Sequence, residues 1–196
     1  TYKLTESQLR LYYYMTWTFG GKWLNWFRFL QGDGYGGQTA PTDWSLLLEQ
    51  GMPGHPTKHM DWVNRCNRES LHIGDYLVRL KTTDVRYVPG TTKYTEGKPG
   101  MISVLNPEAS FLKKAEGRIV SEPEEGADLY VGFFDVIPKE EQGDPGFFKE
   151  GEKTFFMVTN GYASKLEEEA APLTQRVRLG IDLAEAGATG CCWINP

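Results

Sequence analysis

Apolar and aromatic positions recur at three- and four-residue spacing over Leu9, Tyr12, Tyr13, Thr16 and Trp17, the pattern of one buried face of an α-helix. Thr5-Glu6-Ser7-Gln8 stands just ahead of that stripe in the form of a capping box: Thr5 can accept from the amide of Gln8, and the Gln8 side chain can reach back. The spacing predicts a helix from about Glu6 to Phe19, ended by Gly20-Gly21, because glycine takes the left-handed cap conformation at little cost. Lys22 to Leu30 (KWLNWFRFL) is apolar at nearly every position, which predicts a short strand buried on both faces. Gln31 to Pro56 is punctuated by glycine and proline and predicts a long loop, with a helical turn around Trp44 to Glu49. Thr57 then caps a second predicted helix from about Lys58 to Leu80, with Val63, Cys66, Ser70, Ile73, Leu77 and Leu80 on one face. Asp84 to Val88 reads as a strand, and Pro89-Gly90 with the Thr/Lys/Gly-rich run to Gly100 as a linker.

The pattern changes after Gly100. Short candidate strands follow at Gly117 to Val120, Asp128 to Ile137, Lys153 to Asn160, Gln175 to Asp182 and Gly190 to Ile194. Turn-rich separators at Pro123 to Gly126, Gln142 to Gly146 and Ala186-Gly187 divide them. Short strands with regular turn signals predict an antiparallel sandwich. The expected fold class is therefore α/β plus all-β. An α/β portion covers residues 1–88, a linker 89–116, and a β-sandwich-like domain 117–196.

Composition narrows the chemistry. The chain has 196 residues, 40% of them hydrophobic and 24% charged, which is the balance of a folded globular protein rather than a disordered one. Its net charge is −5 and it has no basic run, which argues against a nucleic-acid partner. No stretch approaches the roughly 18 apolar residues of a membrane span, and no secretory signal pattern is visible. The chain opens on Thr1, which leads us to expect further sequence upstream. Cys66, Cys191 and Cys192 form no CxxC pair, so neither a zinc site nor a disulfide framework is expected. Six Trp, ten Tyr and ten Phe are open to two readings, a core of large rings or flat faces that stack on sugars.

A complete (β/α) barrel takes roughly 250 residues, so the α/β portion is too short to close one. Arg10 to Phe29 (RLYYYMTWTFGGKWLNWFRF) resembles the seventh helix and eighth strand of β-galactosidase-type retaining glycoside hydrolases of the family forty-two kind. Gly54-His55-Pro56-Thr57 with Asp61 to Glu69 is similar to their last barrel helix. Gly74 to Leu80 with Asp84 to Tyr87 is similar to the exit into their C-terminal sheet domain. Asp128 to Phe134 and Phe155 to Asn160 resemble strands of that domain. Gly20-Gly21 stands where Gly-Ala is common, and the loop after Leu30 lacks the Trp-Arg of that family.

The resemblance implies an incomplete (β/α) barrel remnant followed by an antiparallel β-sandwich-like domain. It implies hydrolysis of glycosidic bonds by two carboxylates in the intact enzyme, with both catalytic glutamates upstream of Thr1. It also implies a carbohydrate partner, an extracytoplasmic or secreted location and compatibility with a homo-oligomer. The alternative is a non-catalytic carbohydrate-binding or surface protein with an aromatic platform.

Barrel active sites open at the C-terminal ends of the strands. On this resemblance Phe27, Arg28 and Phe29, with Asp33, Tyr35 and Trp44 of the following loop, are the candidate substrate-binding residues: rings for stacking, Arg28 and Asp33 for hydroxyls. Phe27 and Phe29 could equally fill the barrel, and Trp23 and Trp26 are expected in the core. No catalytic residue, metal ligand or cofactor is assigned. Asp33, Asp43 and Glu49 share one loop and are expected to be solvated. His55 and His59 have the four-residue spacing of two helical ligands, but Pro56 disfavours helix at His55. Glu69 is expected to be the structural partner of an arginine or backbone group. Gly32, Gly34 and Gly36-Gly37 lack the helix and lysine that a phosphate loop needs.

Overall fold

A computed structural model describes residues 4–25, 56–91, 103–104, 111–144, 146–148 and 154–194. The chain is a mixed α/β protein with two helices, α1 (Glu6–Thr18) and α2 (Lys58–Leu77), and two small antiparallel sheets. The strands are β1 (Leu80–Val88), β2 (Ser103–Val104), β3 (Leu112–Ile119), β4 (Leu129–Val136), β5 (Phe155–Asn160) and β6 (Gln175–Ile181). The larger sheet has the order β2-β1-β4-β5 and carries one short parallel pair, β1 with β2, at its edge. The smaller sheet is the antiparallel pair β3-β6, whose strands are separated in sequence by β4 and β5. No barrel is formed among the described residues.

Helix α1 begins and ends as its sequence dictates. Thr5 accepts from the Gln8 amide and the Gln8 side chain returns to the Thr5 amide, so the capping box is complete. At the other end Gly20 donates to the Trp17 carbonyl and Gly21 to the Thr16 carbonyl, the paired bonds of a Schellman ending. Gly20 sits at φ +84°, and a Cβ there would lie 2.3 Å from Thr82 Oγ1, so both backbone and packing select glycine.

Central strand β4 shows why a near-continuous apolar run is needed. Leu129, Val131, Gly132 and Phe134 are all buried. On one side Gly132 lets α1 approach so closely that a Cβ would stand 2.5 Å from the Thr18 carbonyl oxygen. Phe133 meets Phe111, ahead of β3, edge-to-face at 5.8 Å, and Phe111 also meets Phe156 of β5 at 5.6 Å. Covering elements on both faces remove the polar alternation of a half-exposed strand. A second core lies between the helices and consists of Leu9, Tyr13, Trp62, Val63 and Cys66.

Several expectations are corrected. Helix α2 stops at Leu77 rather than Leu80, because Leu80 pairs with Val136 and the Arg79 carbonyl accepts from Ile137. Strand pairing therefore outcompetes the apolar spacing that extended the helix. Strand β3 begins at Leu112, inside the segment expected as linker, and β2 lies there as well. Lys22 to Asn25 form no strand, and Trp26 to Leu30 lie outside the described residues. Cys191 to Ile194 form no strand either: they have no ladder partner among the described residues, and Trp193 is 72% exposed. Tyr12 was expected in the buried stripe of α1 but faces outward. Strand β1, from the expected α/β segment, pairs along its length with β4 of the expected β-domain.

Candidate functional site

The densest set of titratable side chains lies between α1 and α2. Their contacts run in step: Leu4 carbonyl to His59 Nε2 at 2.8 Å, Glu6 to Arg65 at 2.8 Å, Arg10 to Glu69 at 3.0 Å, Trp17 Nε1 donating to Ser70 at 3.1 Å. Rising numbers on one helix meet rising numbers on the other, so the two helices point the same way. Beyond the end of α1, Lys22 Nζ donates to the carbonyls of Leu77 and Leu80. It thereby places a cation at the C-terminus of α2, where the helix dipole favours it.

Glu6 is the most buried charge among the described residues, at 3% exposure. One carboxylate oxygen accepts from Arg65, the other from the backbone amide of Ala170 at 2.9 Å. Glu69 accepts from Arg10 on one oxygen and from the Tyr14 hydroxyl, 2.7 Å away, on the other. Arg10 lies between the two carboxylates, 4.0 Å from Glu6 and 2.9 Å from Glu69. Burial opposes the charge on Arg10, but the field and hydrogen bond of Glu69 outweigh it and raise its pKa. Burial, then the bond to Glu69, pushes the Tyr14 hydroxyl well above its ordinary range. Burial lifts the Cys66 thiol to about 11. A nucleophile or general acid needs a tuned pKa and an open approach. Here the phenol and the thiol are held protonated, and every carboxylate oxygen is tied to a structural donor. The cluster is a clamp between helices.

Two recesses flank it. A groove of about 480 Å³ lies between residues 21–24 and the C-terminal half of α2, with Trp17, Trp23, Leu24, Leu71 and Val78 in its walls. Trp23 is 80% exposed and Leu71 76%, so in this chain Trp23 lies at the surface rather than in the core expected of it in an intact barrel. A more polar recess of about 390 Å³ lies along α2 over Asp61, Arg65, Arg68, Glu69 and His72. Among the described residues no three His, Cys, Asp or Glu side chains gather as metal ligands, and no helix is long and apolar enough to cross a membrane.

The candidate substrate residues Phe27, Arg28, Phe29, Asp33, Tyr35 and Trp44 lie outside the described residues, as do Trp26, Asp43, Glu49 and His55. His59 is held by the Leu4 carbonyl and packs edge-on to Trp62 at 4.9 Å. Glu69 is the arginine partner that its sequence context suggested. The role of Glu6 escaped the sequence, where only its four-residue spacing to Arg10 hinted at pairing. A scan against protein-family models, a search of curated proteins and a search of solved structures each found no match for this chain.

Proposed function

We propose that this chain is the C-terminal part of a retaining glycoside hydrolase, comprising the last units of a (β/α) barrel and a β-sandwich-like domain that buttresses it. The observation that carries the reading is the common direction of α1 and α2. Consecutive helices joined by a short loop run antiparallel. Two helices that point the same way, and follow one another among the described residues, need the chain to travel back between them, and in a (β/α) unit a strand makes that return. Residues 19–57 are the connection here, and they contain the apolar run Trp23 to Leu30.

The reading also assigns the two ends. In such a barrel helices descend from the active-site face, so the C-terminal ends of α1 and α2, with Trp23 beside them, lie on the face that serves stability. The apolar groove at Trp23 is then a packing surface for neighbouring barrel units. The sugar wall belongs to the opposite rim, where Phe27, Arg28, Phe29, Asp33, Tyr35 and Trp44 are its candidates. The two carboxylates of the chemistry come from other barrel units, since Glu6 and Glu69 are both committed to the clamp. The reach of Phe111 to β4 and β5 supports sheet-on-sheet packing of the sandwich kind.

The test compares this chain with a longer polypeptide that includes the coding region upstream. We expect the longer protein to cleave aryl β-galactosides with retention of anomeric configuration, followed by NMR of the first-formed sugar, and this chain alone to give no turnover. Turnover by this chain alone, or an upstream region with no barrel units, would overturn the reading.

A further inference from the structure

The smaller sheet has one apolar and one cationic face. Side chains alternate along a strand, so Lys114, Glu116 and Arg118 of β3 share a side. The antiparallel register sets Arg178 opposite Glu116 and Arg176 opposite Arg118 on that same side. Ala115, Ile119, Val177 and Leu179 take the other side, where Ile119 is 1% exposed. Four cations thus surround a single carboxylate on a chain whose net charge is −5. Glu116 is already shared, with Lys114 Nζ at 2.5 Å and Arg118 Nη2 at 2.7 Å. Among the described residues no other carboxylate stands within ion-pair distance of the four, and Arg176 and Arg178 are exposed with none at all.

Like charges placed directly opposite on a sheet are destabilising, and Arg118 faces Arg176 in just that way. The acidic turn at Glu122, Glu124 and Glu125 does not compensate by ion pairs: it meets Arg118 only through the Glu124 carbonyl, at 3.4 Å. An external anion would relieve the repulsion, and exposed guanidinium groups suit the oxygens of sulfate esters and free carboxylates by paired hydrogen bonds. On β6 the cations stand two residues apart, about 6.6 to 7 Å, and on β3 four apart with Glu116 between them, so the charge runs along the ribbon. That is the form of a site for a linear polyanion rather than for one small ion.

We propose that this face binds an anionic polysaccharide, sulfated or uronate-bearing, and so holds the protein on a charged glycan. The choice of a polysaccharide among polyanions rests on the glycosidase reading. The cationic face itself does not.

Titration calorimetry of the full chain with dextran sulfate, and with neutral dextran of the same length, tests it. We expect binding to dextran sulfate only, weakening at least about tenfold between about 50 and 200 mM NaCl as counterion release requires. Arg176→Gln/Arg178→Gln should weaken it by about tenfold or more, and Lys114→Gln by less. Lys81→Gln/Lys139→Gln, on other surfaces, should leave it unchanged. Circular dichroism checks that each variant is folded, and Lys114→Gln carries the test if the double variant is not. Equal affinity in wild type and the arginine variants, or no binding to dextran sulfate, overturns the proposal. Tighter binding to duplex DNA of matched charge overturns the choice of a polysaccharide. Dextran sulfate binding by a chain whose longer form hydrolyses nothing removes the glycosidase reading alone. Hydrolysis without dextran sulfate binding removes this one alone.

Discussion

Thr18 and Thr159 meet hydroxyl to hydroxyl, 2.7 Å apart, where α1 ends against β5. Thr18 is fully buried and already donates its hydrogen to the Tyr14 carbonyl at 2.7 Å. The hydrogen between the two hydroxyls is therefore the one on Thr159. Replacing Thr18 by Val strands that donor in a dry place, and an unsatisfied buried group costs about 1–3 kcal/mol. We expect Thr18→Val to lower unfolding free energy by about that amount. Thr18→Val/Thr159→Val should recover most of the loss. A double-mutant cycle in urea measures both, and purely additive losses would show that the hydroxyl pair is not coupled.

Glu6→Gln should destabilise the chain by roughly 2 kcal/mol, because it removes the charge facing Arg65 and turns one of the two accepting oxygens into an NH2 donor, so that either Arg65 or the Ala170 amide loses its acceptor. Arg65 is 56% exposed, which keeps the cost below that of a wholly buried pair. Hydrogen exchange localises the effect: amides near Ala170 should lose protection before those of β4.

Gly20→Ala combines a left-handed φ with a 2.3 Å approach to Thr82 Oγ1. The backbone term alone is about 1–2 kcal/mol, and the contact adds to it. A fall of at least about 2 kcal/mol is expected from the urea midpoint, and no change would mean the Schellman ending is not held in solution.

Cys66 gives a pH signature. Its pKa in the folded chain, about 11, stands above the ordinary 9.0. The folded state therefore holds a proton that the unfolded state has lost, so stability is full below about 9 and falls as pH climbs towards 11. Cys66→Ala should flatten that limb. Iodoacetamide at pH 8 should label exposed Cys191 and Cys192 first and Cys66 only on unfolding, read by peptide mass spectrometry.

Trp23 separates the isolated chain from the longer enzyme. At 80% exposure, Trp23→Ala should change the stability of this chain by less than about 0.5 kcal/mol. In a protein whose barrel units cover the groove it should cost about 3 kcal/mol or more. A small effect in both would leave the groove without the packing role given to it here.

Local signals were legible and distant ones were not. The capping box at Thr5 and Gln8, the Gly20-Gly21 stop and strands β4, β5 and β6 follow from neighbours within a few residues. Leu80 read as helix because its spacing from Leu77 fits one, and only pairing with Val136 assigns it to a strand. The clamp role of Glu6 was not legible, since its partners stand 59 and 164 residues away. Glu69 was legible as a clamp residue from its charge and its place on α2. The sugar-wall candidates from Phe27 to Trp44 fall outside the described residues.

The fastening of α1 sets an order of events in time. Its N-terminus is tied to the far end of the chain: Glu6 donates its amide to the Glu168 carbonyl, Thr5 its hydroxyl to the Ser164 carbonyl at 2.6 Å, and Ala170 returns an amide to Glu6. The helix must wait for a segment that is synthesised 159 to 164 residues after it. At about 5–20 residues per second that delay is on the order of ten seconds or more. Until then the capping box can set where the helix starts, but a short isolated helix is only marginally stable in water. In that interval Trp62, Val63 and Cys66 of α2, made sooner, are available to cover the Leu9 and Tyr13 face, while the polar fastening of the helix N-terminus is still missing. Shortening the chain before Ser164 would leave the first helix unlocked although no residue of it had been touched.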